Sequence, residues 1–165
     1  MKDKKINTRD LVDKIEKMTK ARIASQDVVP LDQFREVKKK LDPKVILVIE
    51  DDETMRLAIK RILETEGHVT KLAADATELS SVLDDHPVDL ILLDVGLPWV
   101  NGFELAQLLK EHRDLKKIPL VFVSGKATEE DMKKAFEIGA DDYIKKPFDI
   151  DKLKKTVETL LKINS

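Results

Sequence analysis

Two apolar runs in this chain end on carboxylates. Val45-Ile46-Leu47-Val48-Ile49 is followed by Glu50-Asp51-Asp52, and Leu90-Ile91-Leu92-Leu93 is followed by Asp94. Runs of four or five apolar residues read as strands covered on both faces. In an open parallel sheet, ligands bind outside the carboxyl ends of the strands. If these two strands are neighbours, at least three carboxylates converge on one spot. Like charges held that close need a cation to offset them. The residue types therefore point to an all-oxygen site for a hard cation such as Mg²⁺. Asp94 can also react. An unperturbed aspartate has a pKa of about 3.9, so its carboxylate is ionised at neutral pH and needs no separate base to attack. The acidic pair beside it could be 50/51 or 51/52. Counting from the strand and from Thr54-Met55-Arg56 favours Glu50 and Asp51, with Asp52 facing solvent near the mouth of the site.

The elements that would hold these groups alternate from residue 44 onward. Strands are predicted at Val45–Ile49, Val69–Ala73, Leu90–Leu93, Leu120–Val123 and Asp142–Ile144. Helices are predicted between and after them. Thr54–Glu66 carries Met55, Ala58, Ile59, Ile62 and Leu63 on one stripe and ends at Gly67. Thr77–Leu83 is short, and Phe103–Glu111 follows the turn Pro98-Trp99-Val100-Asn101-Gly102. Thr128–Ile138 opens with Thr128 and Asp131 at capping-box spacing and stops at Gly139. Asp149–Ile163 repeats Leu153, Val157, Leu160 and Leu161. Five such β/α units predict an α/β fold, a five-stranded doubly wound parallel sheet of flavodoxin-like size.

Residues 1–43 differ in kind. Leu11, Val12, Ile15, Met18 and Ile23 form one amphipathic stripe, and Leu31, Phe34, Val37 and Leu41 form another after Pro30. Two such helices are too small for a core of their own. The expected organisation is a helical extension over 1–43 and a main domain over 44–165. The extension carries 12 Lys and Arg against 8 Asp and Glu, while the remainder carries 18 against 24. The basic half and the acidic half could attract one another or bind different partners. The overall charge of −2 gives no basic footprint for nucleic acid. The absence of cysteine excludes disulfides and thiolate chemistry. No apolar stretch is long enough for a membrane span or a signal peptide, so a cytoplasmic location is expected.

Four fragments, in order, carry a family resemblance. They are Val-Ile-Leu-Val-Ile-Glu50-Asp51-Asp52, Leu-Ile-Leu-Leu-Asp94-Val-Gly96-Leu-Pro98-x-x-Asn101-Gly102, Leu-Val-Phe-Val-Ser124-Gly125, and Gly139-Ala140-Asp141-Asp142-Tyr143-Ile-Lys145-Lys146-Pro147-Phe148. Together the chain resembles a CheY-like response-regulator receiver domain of two-component signalling over about residues 44–163. The resemblance implies Asp94 as phosphoacceptor. It implies a Mg²⁺ held by Asp51, Asp94 and the backbone carbonyl of Gly96, with Glu50 acting through water. Lys146, before a cis bond to Pro147, would supply a cation to the phosphoryl group. Ser124 would hydrogen-bond that group after transfer, and Gly125 would leave room for it. Tyr143 matches the aromatic switch position, whose movement with Ser124 would reshape the face made by 128–138, 142–144 and 149–163. The implied partners are a histidine kinase or phosphotransfer protein and a downstream target protein. A homodimer could form through the N-terminal helices or the output face. The resemblance implies a switch rather than an enzyme.

Two positions depart from the commoner pattern. Gly96 and Lys126 flank the phosphate and offer no acid or amide to orient a water, so the aspartyl phosphate is expected to reset slowly. Rival readings remain at several residues. The chain could be an interaction module that is not phosphorylated. A haloacid-dehalogenase-like hydrolase also uses a strand-end Asp, but wants a second acid where Gly96 stands. Tyr143 could simply pack on the sheet edge. Trp99 could anchor a partner or cover its own loop. Asp89, Asp141 and Asp142 are expected to be solvated, as are His68, His86 and His112, and Lys38-Lys39-Lys40 reads as a solvated helix face. No DNA-binding helix-turn-helix, cyclase or phosphodiesterase segment is read to follow residue 165, so output is expected to run through protein contact or a further domain.

Overall fold

The computed structural model describes residues 8–24, 42–85 and 87–164, with side chains described only to Met18 in the first stretch. It divides into two units, Met1–Asp42 and Pro43–Ser165. Within the first unit, α1 spans Thr8–Ala24, with Asp10 in the first turn where the helix dipole favours negative charge. The second expected stripe, Leu31 to Leu41, lies outside the described residues, as does His86.

The second unit runs β1 (Val45–Ile49), α2 (Glu53–Thr65), β2 (Val69–Ala73), α3 (Ala76–Asp85), β3 (Leu90–Leu93), α4 (Gly102–Glu111), β4 (Leu120–Ser124), α5 (Glu129–Ile138), β5 (Asp142–Lys145) and α6 (Ile150–Ile163). All neighbouring strands are parallel, in the order β2-β1-β3-β4-β5. The chain winds outward from β1 to β2, then returns to the other side of β1 for β3. That reversal makes β1 and β3 neighbours, with Ile49 in register with Leu93.

Strand periodicity splits the core into two layers. Leu47, Ile49, Ile91, Leu93, Leu120, Phe122 and Tyr143 face one layer, which α3, α4 and α5 close with Leu79, Phe103, Leu105, Ala106, Leu109 and Ala135. Ile46, Val48, Leu90, Leu92, Val121, Val123 and Ile144 face the other, closed by Ile59 and Leu63 of α2 and by Leu153, Val157 and Leu161 of α6. Each fully buried aliphatic side chain contributes about 1.5–3 kcal/mol. Helix propensities span less than about 1 kcal/mol per residue, so burial of these stripes decides where the helices lie.

The helix ends follow local chemistry. Asp52 N-caps α2, its side chain accepting from the Met55 N–H at 2.8 Å. Asn101 does the same for α4 through the Phe103 N–H at 2.8 Å. Thr128 and Asp131 form the expected capping box on α5, and Gly139, at φ 110°, closes that helix in a left-handed conformation.

Two aspartates at the opposite, N-terminal rim of the sheet are not merely solvated. The Asp89 N–H donates to the Val45 carbonyl at 2.8 Å, and the Asp89 carboxylate accepts from the Val45 N–H at 2.8 Å. Asp141 repeats the arrangement on Leu120, with its N–H on the Leu120 carbonyl at 2.8 Å and its carboxylate on the Leu120 N–H at 2.9 Å. Each residue entering a strand thus clamps the first residue of the neighbouring strand at two points. The Lys110 ammonium lies 3.6 Å from the Asp141 carboxylate. Asp142 also has partners: its carboxylate accepts from the Tyr143 N–H at 2.7 Å and from the Thr156 hydroxyl at 3.4 Å. Replacing Asp89 with Ala leaves a part-buried strand N–H without its acceptor. Urea unfolding should show a loss of about 1 kcal/mol, and an unchanged midpoint would remove the clamp's energetic role.

His68 is also less exposed than its isolation in the sequence suggests. Its Nδ1 is buried with no hydrogen-bond partner among the described residues. Burial pushes its pKa below the usual histidine value, against the pull of Glu66, Glu158 and Asp89 and with a small contribution from Lys44. The unfolded chain therefore takes up a proton first as pH falls. The stability this histidine contributes is complete above about pH 6.5 and is lost as pH falls from there through the folded-state value. His68→Leu should flatten the pH dependence of thermal unfolding across that interval; curves that stay parallel to wild type would sink this assignment.

Candidate functional site

The reversal of strand order brings the carboxyl ends of β1 and β3 together, and the first residues beyond them are Glu50 and Asp94. The Asp94 N–H donates to the Ile49 carbonyl at 3.1 Å, and the Glu50 N–H donates to the Ala73 carbonyl at 3.2 Å. The chain positions of both acids are thus set by the sheet ladder rather than by loop conformation. Carboxylate oxygens of Glu50, Asp51 and Asp94 lie within 4.8 Å of one another, the only grouping among the described residues that could hold a metal. Asp52 is outside it, because its carboxylate is engaged in capping α2.

Lys146 completes the cluster from the other side. It follows β5, its N–H donating to the Ser124 carbonyl at 2.9 Å, and the Lys146–Pro147 bond is cis. Its ammonium lies 2.5 Å from Glu50 Oε2 and 3.6 Å from Asp94 Oδ2. The other Glu50 oxygen accepts from the Asp52 N–H at 3.2 Å. Glu50 is almost wholly buried, at 2% exposed. Burial pushes its carboxyl above the usual range; the Lys146 hydrogen bond works against this and the Asp94 charge adds to it. A buried acid raised in this way, beside two more carboxylates, is the environment that a divalent cation relieves. The donor set is all oxygen, which suits Mg²⁺.

Asp94 is itself mostly buried, with one oxygen accepting from the Gly96 N–H at 3.3 Å. Ser124 ends β4 and is buried, its hydroxyl accepting from the Lys126 N–H at 3.2 Å. Gly125 and Gly96 both border open space: a Cβ at either would meet none of the described residues within 4 Å. Tyr143 points inward. Its ring stands 5.7 Å from Phe122, which stands 5.2 Å from Phe103, and its hydroxyl donates to the Lys126 carbonyl. Burial raises the Tyr143 pKa, opposed by the Ser124 hydroxyl. Trp99 covers its own loop: the half-buried indole packs on the core and donates to the Ala74 carbonyl at 3.1 Å, tying the loop after β3 to the segment after β2.

Sequence reasoning passed over two supports of the site. Asn101 was visible as part of the Asn-Gly turn, but its capping role was not read. Arg56 was used only to count register. In the folded chain its guanidinium reaches back to the carbonyls of Glu50 and Asp51, and only its spacing from the acids could have hinted at this.

The family model described as a response regulator receiver domain matches residues 46–158, and the chain belongs to that family. Among curated proteins it is similar to the aerobic respiration control protein ArcA of Escherichia coli strain K12, 39% identical over 103 residues, covering 62% of this chain and 42% of ArcA. It is likewise similar to the transcriptional regulatory protein YvrH of Bacillus subtilis strain 168, 40% identical over 104 residues, covering 62% of this chain and 43% of YvrH. The match therefore spans less than half the length of those relatives. Among solved structures, a CheY-like receiver domain protein from Methanospirillum hungatei JF-1 superposes with a TM-score of 0.68 at 30% identity, over 74% of this chain and 97% of that one. A Francisella receiver domain gives 0.68 at 29% identity, over 75% and 100%.

Gly102 is the glycine the site depends on. A Cβ there would stand 2.4 Å from the Asp94 carbonyl oxygen and 2.5 Å from Val95 Cα. Both obstacles are backbone and cannot rotate aside. Ala would gain up to about 1 kcal/mol in helix propensity, but overpacking costs about 1–3 kcal/mol, so the clash should win. Gly102→Ala is expected to lower the melting temperature, whereas Gly125→Ala should leave it unchanged. Equal melting temperatures for both variants would refute the distinction.

Proposed function

We propose that this chain is a Mg²⁺-dependent phosphoacceptor of two-component signalling, with Asp94 as the phosphorylated residue. The observation that carries the reading is the convergence of Glu50, Asp51 and Asp94 with the Lys146 ammonium at the carboxyl ends of β1, β3 and β5. A phosphohistidine on a histidine kinase or phosphotransfer protein is the donor. An Asp94 carboxylate oxygen attacks phosphorus; a P–O bond forms as the P–N bond breaks, and its electron pair stays on the imidazole nitrogen. Glu50, Asp51, Asp94 and the Gly96 carbonyl would hold the Mg²⁺, whose bound charge stabilises the phosphoryl oxygens during transfer. Lys146 turns from Glu50 toward the added phosphate. Ser124 donates its hydroxyl to a phosphoryl oxygen, over the space beside Gly125. The movement of Ser124 is passed to Tyr143, and so to the face formed by α5, β5 and α6, where a target protein docks. The chain then acts as a switch rather than an enzyme.

The similarity to transcriptional regulators is to proteins more than twice as long as the matched region, so DNA binding is not carried over to these residues. We read residues 1–43 as a separate helical extension. Incubation with acetyl phosphate and Mg²⁺ should label the wild-type chain and leave Asp94→Asn unlabelled. Equal labelling of the two would reject Asp94, and no labelling of either would favour a phosphorylation-independent interaction module.

Gly96 and the exposed Lys126 bear on how long the phosphate lasts. Neither offers a carboxylate or amide to align an attacking water, so the aspartyl phosphate is expected to persist. Gly96→Asn and Lys126→Glu, each at an exposed position, should shorten its half-life without altering the rate of labelling. A half-life in the wild type already as short as in the two variants would contradict this.

A further inference from the structure

We infer that Arg56 is a positioning residue for the acidic site, acting on the main chain of the two residues that bring Glu50 and Asp51 to the metal. This inference rests on the proposed Mg²⁺ site. One nitrogen of the guanidinium, Nη1, donates to the Glu50 carbonyl at 3.0 Å and to the Asp51 carbonyl at 3.2 Å. Arg56 is half-buried on the first turns of α2, and its own N–H donates to the Asp52 carbonyl at 2.9 Å. Three consecutive carbonyls, those of Glu50, Asp51 and Asp52, therefore end on one residue.

The surrounding bonds show what this adds. Glu50 is already fixed at its N–H by the Ala73 carbonyl, and Asp52 by its capping bond to Met55. Asp51 lies between them, exposed, and its only hydrogen bond among the described residues is the one its carbonyl accepts from Arg56. The sheet ends at Ile49, so nothing in the ladder orients the Asp51 peptide. Holding the Glu50 and Asp51 carbonyls turned toward α2 leaves their side chains directed to the cluster with Asp94. Bonds to groups behind the ligands commonly govern metal affinity, and losing one costs about 10–100-fold.

A competing effect has the opposite sign. Arg56 is a cation close to an acidic site, and charge alone would make it oppose Mg²⁺ binding. The two effects separate by substitution. Mg²⁺ affinity is measured by titration calorimetry on the full chain for wild type, Arg56→Ala and Arg56→Lys, with thermal unfolding recorded without metal. The expected result is about 10-fold weaker binding in Arg56→Ala, partial recovery in Arg56→Lys, and a higher Mg²⁺ requirement for acetyl-phosphate labelling, with the labelling rate restored at saturating Mg²⁺. Unchanged or tighter Mg²⁺ binding in Arg56→Ala would overturn the inference, as would a labelling rate that stays depressed at saturation. If Arg56→Ala does not fold, the same comparison is made on Arg56→Lys, where binding weaker than wild type in a fully folded chain supports the bridging role and an equal or tighter affinity removes it. Absence of Mg²⁺ binding by the wild type would instead defeat the proposed site itself, which is a different outcome.

Discussion

Three carboxylates within 4.8 Å of one another repel, and the rest of the unit is arranged to hold them there. The force that does so is burial of apolar side chains. Ile49 and Leu93 are fully buried and in register, so Glu50 and Asp94 must emerge side by side. Lys146 reaches both acids and offsets part of the repulsion. Even so, the Glu50 carboxyl is held above its ordinary range, chiefly by burial. The core carries that strain because the two hydrophobic layers contribute far more than one unfavourable ionisation costs.

The sheet explains why the remaining groups stand where they do. Ser124 and Lys146 leave β4 and β5 at the same rim as the acids leave β1 and β3. Tyr143 lies within β5 on the layer shared with Phe122 and Phe103. One of its neighbours on the reactive side is the loop carrying Lys126, to which its hydroxyl is bonded. A change at Ser124 thus has a short path to a large aromatic ring, which is buried against Phe122 on β5, the edge strand of the sheet.

Much of this was legible in the residues. The five strands stand out because parallel strands buried on both faces are written as unbroken apolar runs, and the carboxylates at their ends mark the site. Thr128, Asp131, Gly67 and Gly139 announce helix limits through local chemistry alone. The rest depends on proximity that no local pattern encodes. Asp52 is exposed as expected, but its capping bond has no sequence signal beyond the position of the helix start, which the pattern puts one residue late. Asp89 and Asp141 looked solvated because each partner lies on a strand 44 or 21 positions earlier. Arg56 carried no motif, since its partners are main-chain carbonyls, which leave no trace in composition. Trp99 fits either of two roles in the sequence, because its indole partner is the Ala74 main-chain carbonyl, 25 positions earlier.

The aspartate pairs on Val45 and Leu120 give the sheet two unlike rims. At one, strand starts are stapled together by four short bonds, two at each pair. At the other, strand ends release charged side chains into loops. Such a sheet is held like a fan bound at its base. Its loops can be rewritten, lengthened or exchanged at the open edge while the bound edge preserves the alignment of the strands.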